Sequence, residues 1–287
     1  MNSTGSMLST NNIGTTIQSS TNELMTFLDS NSLVAKIAFL FFVLFIFVLL
    51  IQFSLSLLSW GLSPSDSPHL INGMIDAKQL LIIPQDPSRS NSKPVYRSID
   101  AREGLEFTWS VWIFVQDLGE NGKYRHIFHK GNDNTDSDGL ISPNNAPGLY
   151  LSPDINELTL IMNTYTVINE EVKIPDIPIN KWVNVIIRCR NTDLDVYING
   201  SIIKSVKLSG VPKQNYGDVF VAMNGGFDGY ISNLWYYNYA LGTAEIQRLV
   251  KNGPDKTMVG SNALNMKDPD YLSLRWYFYG NGDMYNP

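Results

Sequence analysis

The sequence predicts an all-β fold: a two-sheet antiparallel jelly-roll sandwich with one short helix, behind a single N-terminal transmembrane helix. Three observations predict it. A long apolar run lies near the amino end, many short β-type runs separated by Gly, Pro, Asn and Asp begin at about residue 70, and one capped helical segment follows them. We divide the chain into a flexible polar tail (1–32), a transmembrane helix (33–60), a linker (61–69) and a β domain (70–287).

The composition excludes several classes of protein. Apolar side chains make up 44% of the 287 residues, enough for one sizeable domain, and the aromatic content excludes an intrinsically disordered chain. The net charge of −6 provides no positive field to replace the counterions of a nucleic acid, so nucleic acid is excluded as a partner. The single cysteine, Cys189, excludes intramolecular disulfides, and its apolar neighbours predict a buried core residue.

The apolar run predicts a membrane anchor. Every residue from Ile37 to Ile51 is apolar, and residues 37–58 as a helix are long enough to cross a hydrocarbon core of ~30 Å. Lys36 and Trp60 are expected at the two membrane interfaces. The polar residues 1–32 favour an uncleaved anchor over a signal peptide. Because the next basic residue is Lys78, the positive charge at Lys36 favours a cytoplasmic amino terminus.

The segments on either side of the run are predicted to be irregular. The tail is rich in Ser, Thr and Asn, and we expect it to be flexible with a short helix near Glu23–Leu28. The stretch Gly61–Pro68 contains two prolines and breaks the transmembrane helix.

The β domain shows the period-2 patterns of strands. Residues 107–115 alternate apolar side chains on one face and place Trp112 and Phe114 on the other, which predicts a strand buried on both sides. Asn199-Gly200 predicts a two-residue hairpin turn. A helix is expected over Ala244–Lys251, with Thr243 as its cap and Gly253 at its end. The predicted strands are 79–83, 107–115, 158–162, 182–190, 195–198, 201–206, 219–223, 230–236 and 273–279.

An ordered set of motifs runs over about residues 100–250: Phe107-Thr-Trp-Ser-Val-Trp-Ile, Pro147-Gly-Leu-Tyr-Leu, Ile179-Asn-Lys-Trp-Val-Asn-Val, Asp195-Val-Tyr-Ile-Asn-Gly and Gly226-Phe-Asp-Gly-Tyr-Ile. The set resembles the laminin-G-like branch of the concanavalin A-like lectin/glucanase superfamily. The resemblance implies a concanavalin A-like jelly roll in which Trp182 and Phe227 fill the space between the sheets. The positions expected to define the fold are Trp109, Trp182, Tyr197, Asn199, Gly200, Gly226, Phe227, Asp228 and Gly229.

Catalytic chemistry is not predicted. Some members of that superfamily are glycosidases with a Glu-x-Asp-x-x-Glu strand, and hydrolysis needs two carboxylates astride the scissile bond. The sequence lacks this motif, and Asp193 and Asp195 adjoin a hairpin instead. His126 and His129 have an odd offset in a predicted strand, which predicts opposite faces and no shared metal. We therefore expect a protein that is not an enzyme.

Two candidate binding sites emerge from the remaining polar and aromatic residues. Asp133, Asp136 and Asp138 surround Gly139 as in a calcium loop, and Ca²⁺ is the one cofactor considered; a solvated acidic turn is the alternative. The candidates for glycan contacts are Tyr124, Tyr150, Asn163 and Tyr165. Asn2 and Asn199 match the short glycosylation pattern.

The predicted function is a membrane-anchored, non-enzymatic binding or structural module. Its layout is similar to that of virion membrane proteins and minor capsid proteins of large DNA viruses, which implies a link between an inner membrane and capsid proteins. A membrane-bound lectin or a cell-surface adhesion protein that binds glycans is the alternative, and a glycoside hydrolase is the third hypothesis. The expected partners are the lipid bilayer and either a protein or a glycan.

Overall fold

The chain forms two compact units, residues 1–63 and 64–287. The computed structural model describes residues 25–26, 33–62, 65–98, 101–102, 104–119, 122–143 and 145–259. The tail apart from Met25 and Thr26, the side chain of Trp60, the glycosylation pattern at Asn2 and the predicted strand 273–279 lie outside this description.

In the first unit, helix α1 spans Leu33–Leu62. Residues Leu33–Ser59 are long and apolar enough to cross a membrane, and only 6% of their most apolar stretch is buried within the protein. The apolar side chains are therefore exposed along the helix, as expected of a surface that lipid would cover. Lys36 is exposed in the first turn of α1, where the sequence predicts one interface.

The described part of the second unit forms two six-stranded antiparallel sheets. The strands are β1 (His69–Asp76), β2 (Leu81–Ile83), β3 (Glu106–Asp117), β4 (Arg125–Gly131), β5 (Gly148–Leu151), β6 (Glu157–Met162), β7 (Glu170–Pro175), β8 (Trp182–Arg190), β9 (Asp193–Ile198), β10 (Ser201–Lys207), β11 (Asp218–Val221) and β12 (Asp228–Tyr237). The first sheet has the order β1-β12-β3-β8-β9-β10 and the second β2-β11-β4-β5-β6-β7. This confirms the predicted all-β sandwich.

Of the strands that the list of predicted strands omits, β1 and β7 are hard to recognise for local reasons. The strand β1 contains Asn72-Gly73, a pair typical of turns, and its pairing with β12 shifts register on both sides of Ile71. The strand β7 buries only Val172 and Ile174 among charged neighbours, so its alternation is too short to stand out. The predicted strand 79–83 is shorter than expected because Gln79 N–H donates to Asp76 O in a turn, 3.1 Å away.

The core lies between the two sheets. The predicted inner face of β3 is confirmed, because the alternating apolar side chains of residues 107–115 all belong to the buried cluster. Trp109 is 2% exposed and lies 5.4 Å from the ring of Phe128 and 5.0 Å from that of Tyr236. Each large side chain buried in this way contributes ~1.5–3 kcal/mol. Burial raises the pKa of Cys189 to about 12, in keeping with a core thiol.

The position of Trp182 differs from the expectation. Val183, Val185 and Ile187 face the core, so the period-2 alternation of β8 places Trp182 on the outer face of the first sheet. There it is half-buried, 5.5 Å from the ring of Phe114. Phe227 does lie in the core, as the resemblance implies.

A helix, α2 (Thr243–Asn252), packs on the outer face of the first sheet. Its buried Ile246 joins a cluster with Ile186, Tyr197 and Leu241. The sequence predicts Thr243 as the cap, but the capping residue is Gly242, because Glu245 Oε2 accepts the Gly242 N–H at 2.9 Å. The predicted end at Gly253 is confirmed, since this residue has a positive φ of 73°.

The turns that shape the domain match the expected positions. Asn199 and Gly200 both have positive φ and connect β9 to β10, as a two-residue hairpin turn requires. A Cβ on Gly226 would lie 1.8 Å from Ala77 O, and one on Gly229 would lie 1.8 Å from Phe114 O. Asp228 is exposed and pairs with Lys78 at 2.9 Å.

Candidate functional site

A long connection covers the outer face of the second sheet. The segment 132–147 joins β4 to β5, and its Leu140 and Ile141 pack on Tyr150 and Ile161 in a second buried cluster. The alternation of β5 and β6 sends Tyr150 and Ile161 away from the main core. We call residues 132–147 the covering segment.

Two histidines beneath this segment contact each other, which corrects the prediction that they face opposite sides. His126 Nε2 lies 2.6 Å from His129 Nδ1. The register of β4 against β5 shifts between His126 and Phe128, and this bulge inserts one residue, so that His126 and His129 share a face.

The contacts at the two ends of the histidine pair determine which nitrogen of each ring carries the hydrogen. Met223 N–H donates to His126 Nδ1 at 3.0 Å, so His126 Nε2 carries the hydrogen and donates to His129 Nδ1. His129 Nε2 then donates to Asn132 O at 2.7 Å. Burial lowers the pKa of His129 to about 4 and that of His126 well below its usual value. Two neutral rings therefore connect the covering segment to the turn at Met223.

A polar pocket of about 560 Å³ opens where this turn meets the covering segment. We call it the loop pocket. Its lining residues are Lys123, Tyr124, Arg125, Thr135, Asp136, Gly139, Asn224, Gly225 and Gly226. The volume is in the range of small-molecule sites.

The backbone on one wall of the loop pocket is unusual. Ala222, Asn224, Gly225 and Gly226 all have φ between 50° and 82°. Glycine and asparagine adopt this left-handed conformation readily, but Ala222 is neither. The conformation costs an alanine ~1–2 kcal/mol. Asn224 Nδ2 donates to Thr135 Oγ1 at 2.8 Å and so bridges the two walls. Strained backbone held by its surroundings clusters at ligand sites.

The side chains of the loop pocket fit a polyhydroxylated ligand. Tyr124 presents a half-buried ring that lies 6.4 Å from the ring of Tyr150, nearly edge-on. Asp136 is exposed, and a carboxylate can accept hydrogen bonds from the hydroxyls of a ligand, while the amide of Asn224 has both a donor and an acceptor. Arg125 donates to Ser152 O at 2.5 Å, so its guanidinium stabilises the backbone beside the loop pocket and is not free to bind a ligand.

The four predicted glycan contacts do not form one site. Tyr124 lines the loop pocket. Tyr150 and Asn163 are buried and bind other parts of the protein, which corrects their assignment as ligand contacts: the Tyr150 hydroxyl donates to Asn145 Oδ1 at 2.5 Å, and Asn163 donates to Pro143 O at 2.5 Å and to Ile168 O. Tyr165 is 69% exposed and lies away from the loop pocket lining, with Lys213 Nζ 5.5 Å from its ring.

The predicted calcium loop is not organised as a metal site. Asp133, Asp136 and Asp138 are all exposed, and Asp138 Oδ1 accepts the Leu140 N–H at 3.0 Å as in a solvated turn. Among the described residues no three His, Cys, Asp or Glu side chains converge to hold a metal ion. The geometry does not fit the Ca²⁺ that the sequence suggested, although Asp136 does line the loop pocket.

The carboxylates beside the β9–β10 hairpin have a structural role. Asp195 is buried. Its carboxylate accepts hydrogen bonds from Arg188 Nη2 at 2.8 Å and from Ser205 Oγ at 2.6 Å. Burial alone would raise the pKa of Asp195, but the two hydrogen bonds together with the charges of Arg188 and Arg190 outweigh burial and lower the pKa below its usual value. Asp193 is exposed. The two carboxylates therefore do not flank an open cleft.

Comparisons with known proteins agree with the fold. Residues 94–247 match the sequence profile of the family described as the concanavalin A-like lectin/glucanases superfamily. No curated protein sequence matches the chain significantly.

Among solved structures, the binding domain of botulinum neurotoxin DC in complex with rat synaptotagmin II is 17% identical, with a TM-score of 0.41 over 52% of this chain and 36% of that one. The same binding domain in complex with SialylT is 17% identical, with a TM-score of 0.41 over 52% and 35%. The chain thus spans about a third of these neighbours, and similarity this low carries no argument about function.

Proposed function

Because the chain belongs to the concanavalin A-like lectin/glucanases superfamily, we propose that it is a non-enzymatic, membrane-anchored module that binds a carbohydrate in the loop pocket. The observation that carries this proposal is the convergence of Tyr124, Asp136 and Asn224 on one pocket of about 560 Å³. An aromatic ring packs against the apolar face of a sugar, while a carboxylate and an amide bind its hydroxyls.

The charges of the loop pocket favour binding over hydrolysis. A glycosidase needs two carboxyl groups on either side of the scissile bond. Asp136 is the one carboxylate among the lining residues that the structure describes, and the two basic residues there, Lys123 and Arg125, do not replace a second acid. Of these two, Lys123 is exposed and makes the pocket compatible with a sugar that carries an acidic group, whereas the Arg125 guanidinium is already bound to Ser152 O.

The anchor in this proposal is α1. Its exposed apolar surface over Leu33–Ser59 suits a lipid bilayer. Lys36 near its first turn favours a single-pass protein with its amino terminus on the cytoplasmic side and the β domain across the membrane.

A virion protein that links an inner membrane to capsid proteins remains the second candidate. The observation that favours it is a shallow apolar pocket of about 220 Å³ on the outer face of the first sheet, which we call the dish. It is lined by Met74, Phe114, Trp182, Tyr230 and Lys256. Half-buried aromatic side chains of this kind are enriched at protein interfaces. Cross-linking in purified membranes or particles separates the two candidates, because the linker requires a protein neighbour at this dish.

The carbohydrate proposal is tested with the full-length protein in detergent on a glycan array, followed by titration of the ligand found. Asp136→Asn is expected to weaken binding about tenfold, since it replaces an ionic hydrogen-bond acceptor with a neutral one. Asp133→Asn is the matched control, because Asp133 lies in the same segment, is exposed and does not line the loop pocket.

Two results would contradict the proposal. One is the absence of binding to any glycan on the array together with cross-links to a protein. The other is the release of new reducing ends from glucans, abolished by substitution of one carboxylate, which would make the protein an enzyme.

A further inference from the structure

A second pocket, of about 290 Å³, lies on the outer face of the first sheet near the C-terminal end of α2. We call it the aromatic pocket. It is built by side chains of β1, β3 and β12 together with the end of α2 and the residues that follow it. Its lining includes His69, Trp112, Trp235, Asn252, Gly253 and Asp255.

Three aromatic rings form one part of the aromatic pocket. The ring of Trp235 stacks on that of His69, with centroids 3.8 Å apart and planes 10° from parallel. Trp112 comes from the neighbouring strand β3 and is largely buried. Indole faces are electron-rich and attract cations more strongly than the faces of other side chains.

The charges around these rings are negative. The last carbonyls of α2 point out of the helix end at Asn252 and Gly253 and carry partial negative charge. Asp255 adds a carboxylate, whose Oδ1 accepts the Thr257 N–H at 2.9 Å. Among the lining residues that the structure describes, Asp255 is the one Asp, Glu, Lys or Arg.

The basic groups nearby do not cancel this charge. His69 Nε2 lies 3.1 Å from Asn233 Oδ1, and burial, with a smaller contribution from Lys93, lowers the pKa of His69 to about 4. The His69 ring is therefore neutral at physiological pH. Lys93 Nζ donates to His69 O at 2.8 Å and to Leu70 O at 2.9 Å, and neither Lys93 nor Lys251 of the last turn of α2 lines the pocket.

We propose that the aromatic pocket binds an organic cation, namely the guanidinium or ammonium group of an arginine or lysine side chain on a protein partner. The cation contacts the parts of the Trp112 and Trp235 rings that the protein leaves uncovered, and Asp255 with the helix carbonyls accepts its hydrogen bonds. This site is separate from the loop pocket, with which it shares no lining residue.

The test compares N-acetyl-arginine amide with N-acetyl-citrulline amide, its uncharged isostere, by calorimetric titration of the full-length protein in detergent. The arginine compound is expected to bind at least about tenfold more tightly, because only its guanidinium is attracted by the rings and the carboxylate. Equal affinities would overturn the proposal, and so would the absence of binding by both compounds at millimolar concentration. Displacement of the arginine compound by a neutral methyl glycoside would also overturn it, since the aromatic pocket would then be a sugar site.

Asp255→Asn removes the charge while its Oδ1 still accepts the Thr257 N–H, so the fold is expected to persist and the affinity for the arginine compound to fall about tenfold. Asp228→Asn is the matched control, because Asp228 is exposed and lies outside the aromatic pocket. Unchanged affinity in Asp255→Asn would overturn the proposal. If near-ultraviolet circular dichroism shows that this variant is misfolded, the salt dependence of the unchanged protein decides: a cation site weakens with added salt, and a salt-independent affinity would overturn it.

The result does not depend on the carbohydrate proposal. Asp136→Asn in the loop pocket should leave binding of the arginine compound unchanged, whereas Asp255→Asn should leave glycan binding unchanged. If the unchanged protein binds only one of the two ligands, the assignment of the other pocket alone fails.

Discussion

His126 Nε2 and His129 Nδ1 lie 2.6 Å apart, with the two rings 81° from parallel. The pair is closed at one end by Met223 N–H and at the other by Asn132 O. Each contact uses an atom that a neutral imidazole can supply, and an imidazolium has no acceptor for its neighbour's hydrogen. The geometry therefore ties two loops together only while both rings are neutral.

The first prediction concerns acid. In the unfolded chain a histidine has a pKa of 6.5, whereas in the folded protein the pKa of His129 is about 4. Between these values the unfolded chain binds more protons, so the free energy of unfolding should fall as the pH drops below 6.5, by about 2 kcal/mol for His129 by pH 5. Chemical denaturation of the full-length protein in detergent at several pH values measures this.

His129→Asn is the control for the acid prediction, since its amide can still hydrogen-bond but does not titrate. The variant should lose part of the pH dependence below 6.5. An identical slope in both proteins would show that other groups cause the effect.

The second prediction concerns the wall of the loop pocket. Gly226→Ala should lower the free energy of unfolding by about 3 kcal/mol or more, because the new Cβ would lie 1.8 Å from Ala77 O at a φ of 50°. Gly225→Ala is the matched control: its φ is 82°, but nothing lies within 4 Å of the new Cβ. It should cost about 1–2 kcal/mol. Equal losses would mean that the close approach to Ala77 is relieved by a small movement.

The third prediction compares two tryptophans. Trp109→Ala should cost about 3–5 kcal/mol, because Trp109 fills the space between the sheets. Trp182→Ala should cost distinctly less, since Trp182 is half-buried on an outer face. Thermal or chemical unfolding measures both. A larger loss at Trp182 than at Trp109 would restore the expectation that Trp182 belongs to the core.

The fourth prediction concerns α1. The full-length protein should sediment with membranes and resist extraction by high salt, while detergent should release it, because the exposed surface of α1 is apolar. A version with residues 33–59 replaced by a Gly/Ser linker should leave the membrane fraction. Recovery of the unchanged protein in the aqueous supernatant without detergent would exclude an anchor.

The main features of the fold could be predicted because they depend on local patterns. The alternation of residues 107–115 identifies the inner face of β3, and Asn199-Gly200 identifies the hairpin from its own backbone preferences. The end of α2 at Gly253 likewise follows from a local preference. None of these depends on which strands pair.

The features that were predicted wrongly depend on pairing and on long-range packing. The side on which His126 lies is decided by a register shift against β5, which no spacing within β4 reveals. Tyr150 and Asn163 look like surface residues until the covering segment folds over them. The loop pocket combines Tyr124 and Asp136 with Asn224, which lies more than 80 residues further along the chain.

The turn over residues 222–226, in which four residues have positive φ, also affects how fast a ligand would associate. The free-energy cost of this backbone conformation is already included in folding, and Asn224 is hydrogen-bonded to Thr135 before a ligand binds. A sugar would therefore bind to a preformed site, and binding would not require a slow conformational change of the protein. We expect single-step association kinetics, with discrimination between stereoisomers expressed in their residence times.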